Sequence, residues 1–194
     1  NYPMPAMPEG AKEGVLRGLY RVRPAAAPGK QRVQLFGSGS ILNEVLRAQS
    51  LLAERFDVAA DVWGVTSYQK LRADALACER HNRLHPTGQR KTPYLSTALA
   101  DVSGPFVAAS DWMKTVPDQV ARWIPGRFVA LGTDGFGCSD TREALRRHFE
   151  VDAENIALAA LDALASEGKL EPKDVERAID ELDLDPDKLD PVSI

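Results

Sequence analysis

Gly37-Ser38-Gly39-Ser40 follows a short apolar run, Val33 to Phe36, and precedes a stretch of helical periodicity. Backbone N–H groups at such a strand-to-helix turn can hold a phosphate. The dinucleotide fingerprint needs a third glycine and a later acidic residue for the ribose. Position 42 is Leu, and no Walker lysine follows the glycines. Backbone geometry alone also accounts for the motif, as a tight turn with Ser40 capping the next helix. A nucleotide- or small-ligand-binding regulatory α/β domain is the alternative functional reading that this turn keeps open.

Cys78, His81 and His85 have the spacing C-x2-H-x3-H and share one face if the segment is helical. That is half the pattern of a zinc site. A closed structural site needs four donors, and the remaining Cys and His are Cys138 and His148. A lone Cys on a helix reads more simply as a small buried residue. No metal ligand is assigned.

Gly132-Thr133-Asp134-Gly135-Phe136-Gly137-Cys138-Ser139-Asp140 follows another apolar run. Strand C-terminal ends are where open α/β sheets place their sites. Asp134 and Asp140 lack EF-hand spacing, so loop shaping and helix capping account for them. No G-x-S-x-G elbow occurs. Arg146-Arg147-His148 falls late in a helical stretch, where cations complement the helix dipole. The residue types therefore assign no catalytic group and no cofactor-binding group. What remains is a presented surface: Phe136, between two glycines on a loop, and the acidic tail with Asp183, Asp185, Asp187 and Asp190 are the candidate interface residues.

The elements that carry these residues alternate in type. Val33 to Phe36, Val58 to Val65, Phe106 to Ala109 and Phe128 to Leu131 read as strands. Helices are expected over Ser38 to Arg55, Tyr68 to Leu84 with Ser67 as N-cap, Pro93 to Leu99, and Asp111 to Ile124 despite Pro117. A helix capped by Ser139 or Asp140 should run through Phe149. Two more span Ala153 to Glu167, ended by Gly168, and Pro172 to Leu182. Strand–helix alternation predicts an α/β fold, a mostly parallel sheet flanked by helices with right-handed crossovers. Residues 1–30 read as an N-terminal arm, a short helix over Glu9 to Tyr20 and a loop over Pro24 to Gly29; residues 31–194 form the α/β domain.

Composition narrows the function classes. The chain has 194 residues, 44% hydrophobic and 27% charged, which excludes a mostly disordered chain. Lys and Arg number 24 against 28 Asp and Glu, a formal charge of −4. That balance argues against a nucleic-acid partner and suits a basic protein partner. Two cysteines fit a reducing cytoplasm. No apolar run reaches the ~18 residues of a membrane span, so no membrane partner is expected. The chain opens without an initiator Met or signal peptide, as a fragment of a longer cytoplasmic protein would.

Five strings together carry a family resemblance. They are MPAMPEGAKEG (Met4 to Gly14), LFGSGSIL (Leu35 to Leu42), DVWGVTSYQKLRAD (Asp61 to Asp74), ALGTDGFGCSD (Ala130 to Asp140) and TREALRRHFEVDA (Thr141 to Ala153). In order and over the whole chain, they resemble the C-terminal domain of the homodimeric bacterial pyruvate dehydrogenase decarboxylating component. The resemblance implies a transketolase C-terminal-domain-like fold. It implies a parent oxidoreductase that uses thiamine diphosphate and Mg2+ to decarboxylate pyruvate and reductively acetylate a lipoyl group. In that family the cofactor sits between the first two domains, across the dimer interface. Its diphosphate motif, Gly-Asp-Gly followed by Asn-Asn, does not occur here. The resemblance thus implies no thiamine diphosphate or Mg2+ in this segment, and an isolated fragment without activity. The implied partners are the other domains of the parent chain, a second copy in a homodimer, and the dihydrolipoamide acetyltransferase core with its basic subunit-binding domain. Cys138 departs from the family, which usually has Arg there.

Overall fold

Residues 2–26 and 31–193 are described by a computed structural model. The loop expected over 24–29 lies in part outside these residues. Five strands form one sheet in the order β1-β3-β2-β4-β5. They are β1 (Leu19–Arg23), β2 (Gln31–Gly37), β3 (Val58–Val65), β4 (Phe106–Ala109) and β5 (Phe128–Leu131). β2, β3, β4 and β5 pair in parallel, and β1 lies antiparallel on β3. The expected α/β class and mostly parallel sheet are what the chain adopts.

β1 was not among the expected strands; the helix expected over Glu9 to Tyr20 overlaps only its first two residues. The helix α1 (Lys12–Arg17) stops early because Gly18 takes the left-handed conformation, with φ 108°. The following Leu-Tyr-Arg-Val-Arg opens on fully buried Leu19, after which half-buried Tyr20 and Val22 alternate with exposed Arg21 and Arg23. Two arginines on this edge strand also discourage further strand addition. Residues from the first 30 thus contribute the fifth strand.

The pleat sorts the core into two layers. Val33 and Leu35 of β2 pack with Val107 against α2 (Leu42–Phe56), α7 (Ala153–Ser166) and α8 (Pro172–Glu181). Phe36 points to the opposite face, with Trp63, Phe106, Leu71 and Leu95, beneath α3 (Tyr68–Leu84) and α4 (Tyr94–Ala98). Phe36 meets the Phe106 ring edge-on at 5.7 Å. β3 is buried along its whole length, as expected of a central strand covered on both faces. Gln34 and Asp61 are nevertheless both in the interior. Trp63 Nε1 donates to Gln34 Oε1 at 2.8 Å, Gln34 Nε2 donates to Asp61 Oδ2 at 3.2 Å, and Arg32 Nη1 donates to the same oxygen at 2.6 Å. The network satisfies groups that would otherwise be costly to bury.

The expected helix over Asp111 to Ile124 is instead two short pieces, α5 (Thr115–Asp118) and a 3-10 turn at Ala121–Trp123. Pro117 supplies no N–H, and the Lys114 amide donates to Asp134 on the neighbouring loop while the Trp112 amide donates to Ser110 Oγ. Trp112 and Trp123 therefore do not share one helix. Ser67 caps α3 as expected, its Oγ accepting from Lys70 N at 3.1 Å. The helix α6 (Arg142–His148) is capped by Thr141, not by Ser139 or Asp140: Ala144 N donates to Thr141 Oγ1 at 3.2 Å. Ser40 does not cap α2; it lies inside a 3-10 turn, Gly39–Ile41, with its Oγ 3.5 Å from Asp111 Oδ2. α7 ends ahead of Gly168, whose φ is 70°.

Candidate functional site at the C-terminal edge of the sheet

The four parallel strands end level: Gly37 is opposite both Gly64 and Ala109, and Ala109 is opposite Leu131. The chain leaves β2 towards β3 but leaves β4 towards β5. That reversal opens a crevice between the loops after β2 and β4, where such sheets carry their sites.

The glycine-rich loop after β5 is clamped to the loop after β4. Thr133 N donates to Trp112 O at 3.0 Å, and Thr133 Oγ1 donates to Asp111 O at 2.9 Å. Lys114 N donates to Asp134 Oδ1 at 3.1 Å. Gly132 permits this approach, because a Cβ there would stand 2.3 Å from Trp112 O. Asp134 thus braces one loop on the other, and Asp140 Oδ1 accepts from Thr141 N at 2.6 Å. With its base fixed, the loop presents Phe136, which is 85% exposed. Trp112 and Met113 on the adjoining loop are 63% and 55% exposed. Sequence reading singled out Phe136 but not Met113; Pro117 was the available sign that this segment is loop.

The acidic tail folds back towards the same edge. Gly135, with φ 98°, sits so close to Pro191 that a Cβ would be 2.6 Å from its carbonyl oxygen. Phe136 and the end of the tail are therefore neighbours. Asp183, Asp185, Asp187 and Asp190 are all exposed. Two of them already have local work: Asp185 Oδ1 accepts from Asp187 N, and Asp190 Oδ1 accepts from Val192 N, both at 2.9 Å. Lys188 anchors the tail by donating to Glu150 Oε1 at 2.9 Å and to His148 O at 2.7 Å.

The arginines of α6 do more than complement its dipole. Arg146 Nη1 donates to Glu44 Oε1 at 2.6 Å, joining α6 to α2, and Arg47 holds the second oxygen of Glu44 at 2.7 Å. Arg147 reaches Asp152 and the carbonyl of Asp183. Tyr2 lies beneath Arg142 and Arg146, with the guanidinium carbons 4.3 and 5.2 Å from its ring centroid. The N-terminal arm is thereby held across the edge.

His81 and His85 stack at 4.4 Å on α3, with Cys78 buried a turn earlier. Desolvation pushes the Cys78 thiol up and the His81 imidazole down, with Lys91 adding to the latter. Among the described residues, no three His, Cys, Asp or Glu side chains converge as a metal donor set. No helix among them is long and apolar enough to cross a membrane.

A strand order with one antiparallel edge and a helical layer on each face defines an α/β domain built on a mostly parallel five-stranded sheet. The chain belongs to the transketolase-like TK C-terminal domain family, which matches residues 18–152. It is 47% identical over 193 residues to the pyruvate dehydrogenase E1 component of Pseudomonas aeruginosa, covering 99% of this chain and 22% of that protein. Against the same component of Escherichia coli K12 it is 46% identical, covering 98% and 21%, and against that of Mycolicibacterium smegmatis 45%, covering 95% and 20%. The chain therefore spans about a fifth of the length of these relatives. In fold it is similar to a transketolase from Leishmania mexicana, with a TM-score of 0.54 at 17% identity over 79% of this chain and 19% of that one. A Pichia stipitis transketolase gives 0.55 at 17% identity, covering 86% and 21%.

Proposed function

We propose that this chain is the C-terminal assembly domain of a pyruvate dehydrogenase decarboxylating component. The parent decarboxylates pyruvate with thiamine diphosphate and Mg2+ and passes the acetyl group reductively to a lipoyl group. Similarity near 45% over almost the entire chain is the observation that carries this reading. The described residues do not fit Mg2+, because no three suitable donors converge. In this reading cofactor chemistry is the work of other parts of the parent chain, and no step is assigned to residues here.

The domain's own work is contact. Exposed Trp112, Met113 and Phe136 on braced loops suit burial against the other domains or a second copy in a homodimer. The acidic tail suits the basic subunit-binding domain of the acetyltransferase core. The test is the molar mass of the full-length protein by light scattering. Wild type should be a dimer, and Phe136→Asp should shift it towards monomer at low concentration without altering its circular dichroism. A dimer of unchanged stability would remove Phe136 from the contact. Calorimetry with the subunit-binding domain at two salt concentrations tests the tail: salt-sensitive binding supports docking here, and salt-independent or absent binding removes it.

A further inference from the structure

The second half of α3 and the loop after it carry charge that the assembly role does not use. β4 runs parallel to β3, so α3 must take the chain back across the sheet. Its 17 residues cover roughly 25 Å, which puts its last turn at the end of the sheet opposite Phe136 and the acidic tail. Residues 80–100 contain no Asp or Glu. Arg80, Arg83, Arg90 and Lys91 fall in this stretch, and all four are exposed. None of their side chains has a hydrogen-bond or ion-pair partner among the described residues. The two acids of α3 are engaged elsewhere. Glu79 accepts from Trp123 Nε1 at 2.8 Å and pairs with Arg122, and Asp74 accepts from Tyr94 N at 2.7 Å. Arg83 is in the last turn, where a cation complements the helix dipole, but Arg90 and Lys91 lie beyond the helix.

The surface is held in shape. Asn82 Nδ2 donates to Lys91 O at 2.9 Å, and Lys91 N donates to Asn82 Oδ1 at 2.7 Å. Gly88 N donates to His85 O at 3.1 Å. The loop therefore folds back on α3 and, with His81 and His85, bounds an open cavity of about 450 Å3. Gly88, Gln89, Arg90 and Lys91 complete its lining, with no carboxylate among the described residues there. The C-x2-H-x3-H spacing would suggest a cation here. The field opposes one: desolvation lowers the His81 pKa, and Lys91 and His85 lower it further. The same field favours a carboxylate.

Leu84 narrows the class of anion. It is 53% exposed and stands one turn after Arg80 and His81 on the same face of α3. A sugar-phosphate backbone offers it nothing apolar, and the acidic remainder of the chain repels a long polyanion. A peptide segment with both acidic and apolar residues meets both conditions.

We infer that this surface docks an acidic polypeptide segment, with a carboxylate in the cavity among His81, Arg90 and Lys91 and an apolar side chain on Leu84. Its charge is opposite to that of the tail at 183–190, so its partner is a different one, and the inference does not depend on the assembly role.

The test is fluorescence anisotropy with the full-length protein and three labelled probes of equal charge: a peptide of repeating Asp-Asp-Leu, one of repeating Asp-Asp-Ser, and single-stranded oligothymidylate. The Asp-Asp-Leu peptide should bind saturably, most tightly of the three, and more weakly as salt rises. Arg90→Gln/Lys91→Gln should weaken it about fivefold or more, and Arg80→Gln by less. Leu84→Ser should bring it down to the affinity of the Asp-Asp-Ser peptide, whose own binding should not change. These four side chains are exposed, so the variants should fold; unchanged circular dichroism and melting temperature check this. No saturable peptide binding overturns the inference, as it would if other domains of the parent cover the surface. So does equal binding by wild type and the double variant, which puts the site elsewhere in the parent chain. Tighter binding of oligothymidylate overturns it in favour of a nucleic acid. Equal affinity for the two peptides overturns it as well, because Leu84 would then select nothing.

Discussion

Glu44→Ala should be among the most damaging single changes outside the apolar core. Its side chain is 6% exposed, and its two oxygens are held by Arg146 at 2.6 Å and Arg47 at 2.7 Å. Arg146 is itself only 16% exposed, and its Nη2 has no partner. Removing the carboxylate would leave a nearly buried guanidinium unpaired, which costs about 3–5 kcal/mol. The reverse change is cheaper. Arg146→Met leaves Glu44 paired with Arg47, and the thioether side chain fills part of the space, so about 1–2 kcal/mol should be lost. The double variant Glu44→Leu/Arg146→Met should recover much of the loss, since no unpaired charge remains and α2 still packs on α7. Urea unfolding of the 194-residue chain, followed by circular dichroism at constant m-value, measures each term. A loss below about 1 kcal/mol for Glu44→Ala, or equal losses for the two single variants, would refute the reasoning.

Four further outcomes follow from the structure. Gly104→Ala should give no folded protein, because φ is 91° and the new Cβ would stand 1.8 Å from the Arg32 carbonyl; soluble expression with native circular dichroism would contradict this. Burial raises the Tyr68 pKa above the ordinary 10.0, so the folded state keeps this proton after the unfolded chain has lost it. Its contribution is complete below about pH 10 and falls by up to about 1.4 kcal/mol per pH unit above that; Tyr68→Phe should show a shallower alkaline loss in urea titrations. Asp183→Asn and Asp187→Asn together should weaken calorimetric docking of the basic subunit-binding domain and flatten its salt dependence. Asp185→Asn and Asp190→Asn should leave the fold intact, because an amide oxygen can still accept from the Asp187 and Val192 amides.

The parts of the fold that were legible in the sequence are those whose burial is decided locally. β2, β3, β4 and β5 are apolar runs with turn residues after them, and a parallel strand covered on both faces has that pattern. α3 was legible at both ends, through the Ser67 cap and Pro86. β1 was not. Leu16, Leu19 and the residues before them fit a helical period, and the break depends on Gly18 taking φ 108°. The segment after β4 was missed because its amides and carbonyls bond to the loop after β5, a partner some twenty residues away. Phe136 could be singled out because two glycines flank it, but its closeness to the tail depends on Gly135 meeting Pro191, which no local pattern encodes. Family membership was legible for a different reason: five strings spread along the chain match together, whatever each does alone.

The central claim is that this chain is part of a pyruvate-decarboxylating enzyme and contributes contacts, not chemistry. The measurement that tests it most directly is pyruvate-dependent reductive acetylation of a lipoyl domain by the full-length protein and by the 194-residue chain alone. The full-length protein should turn over only with thiamine diphosphate and Mg2+, and the folded 194-residue chain should not turn over under any condition. A full-length protein that leaves pyruvate untouched, or a 194-residue chain that decarboxylates it, would contradict the account.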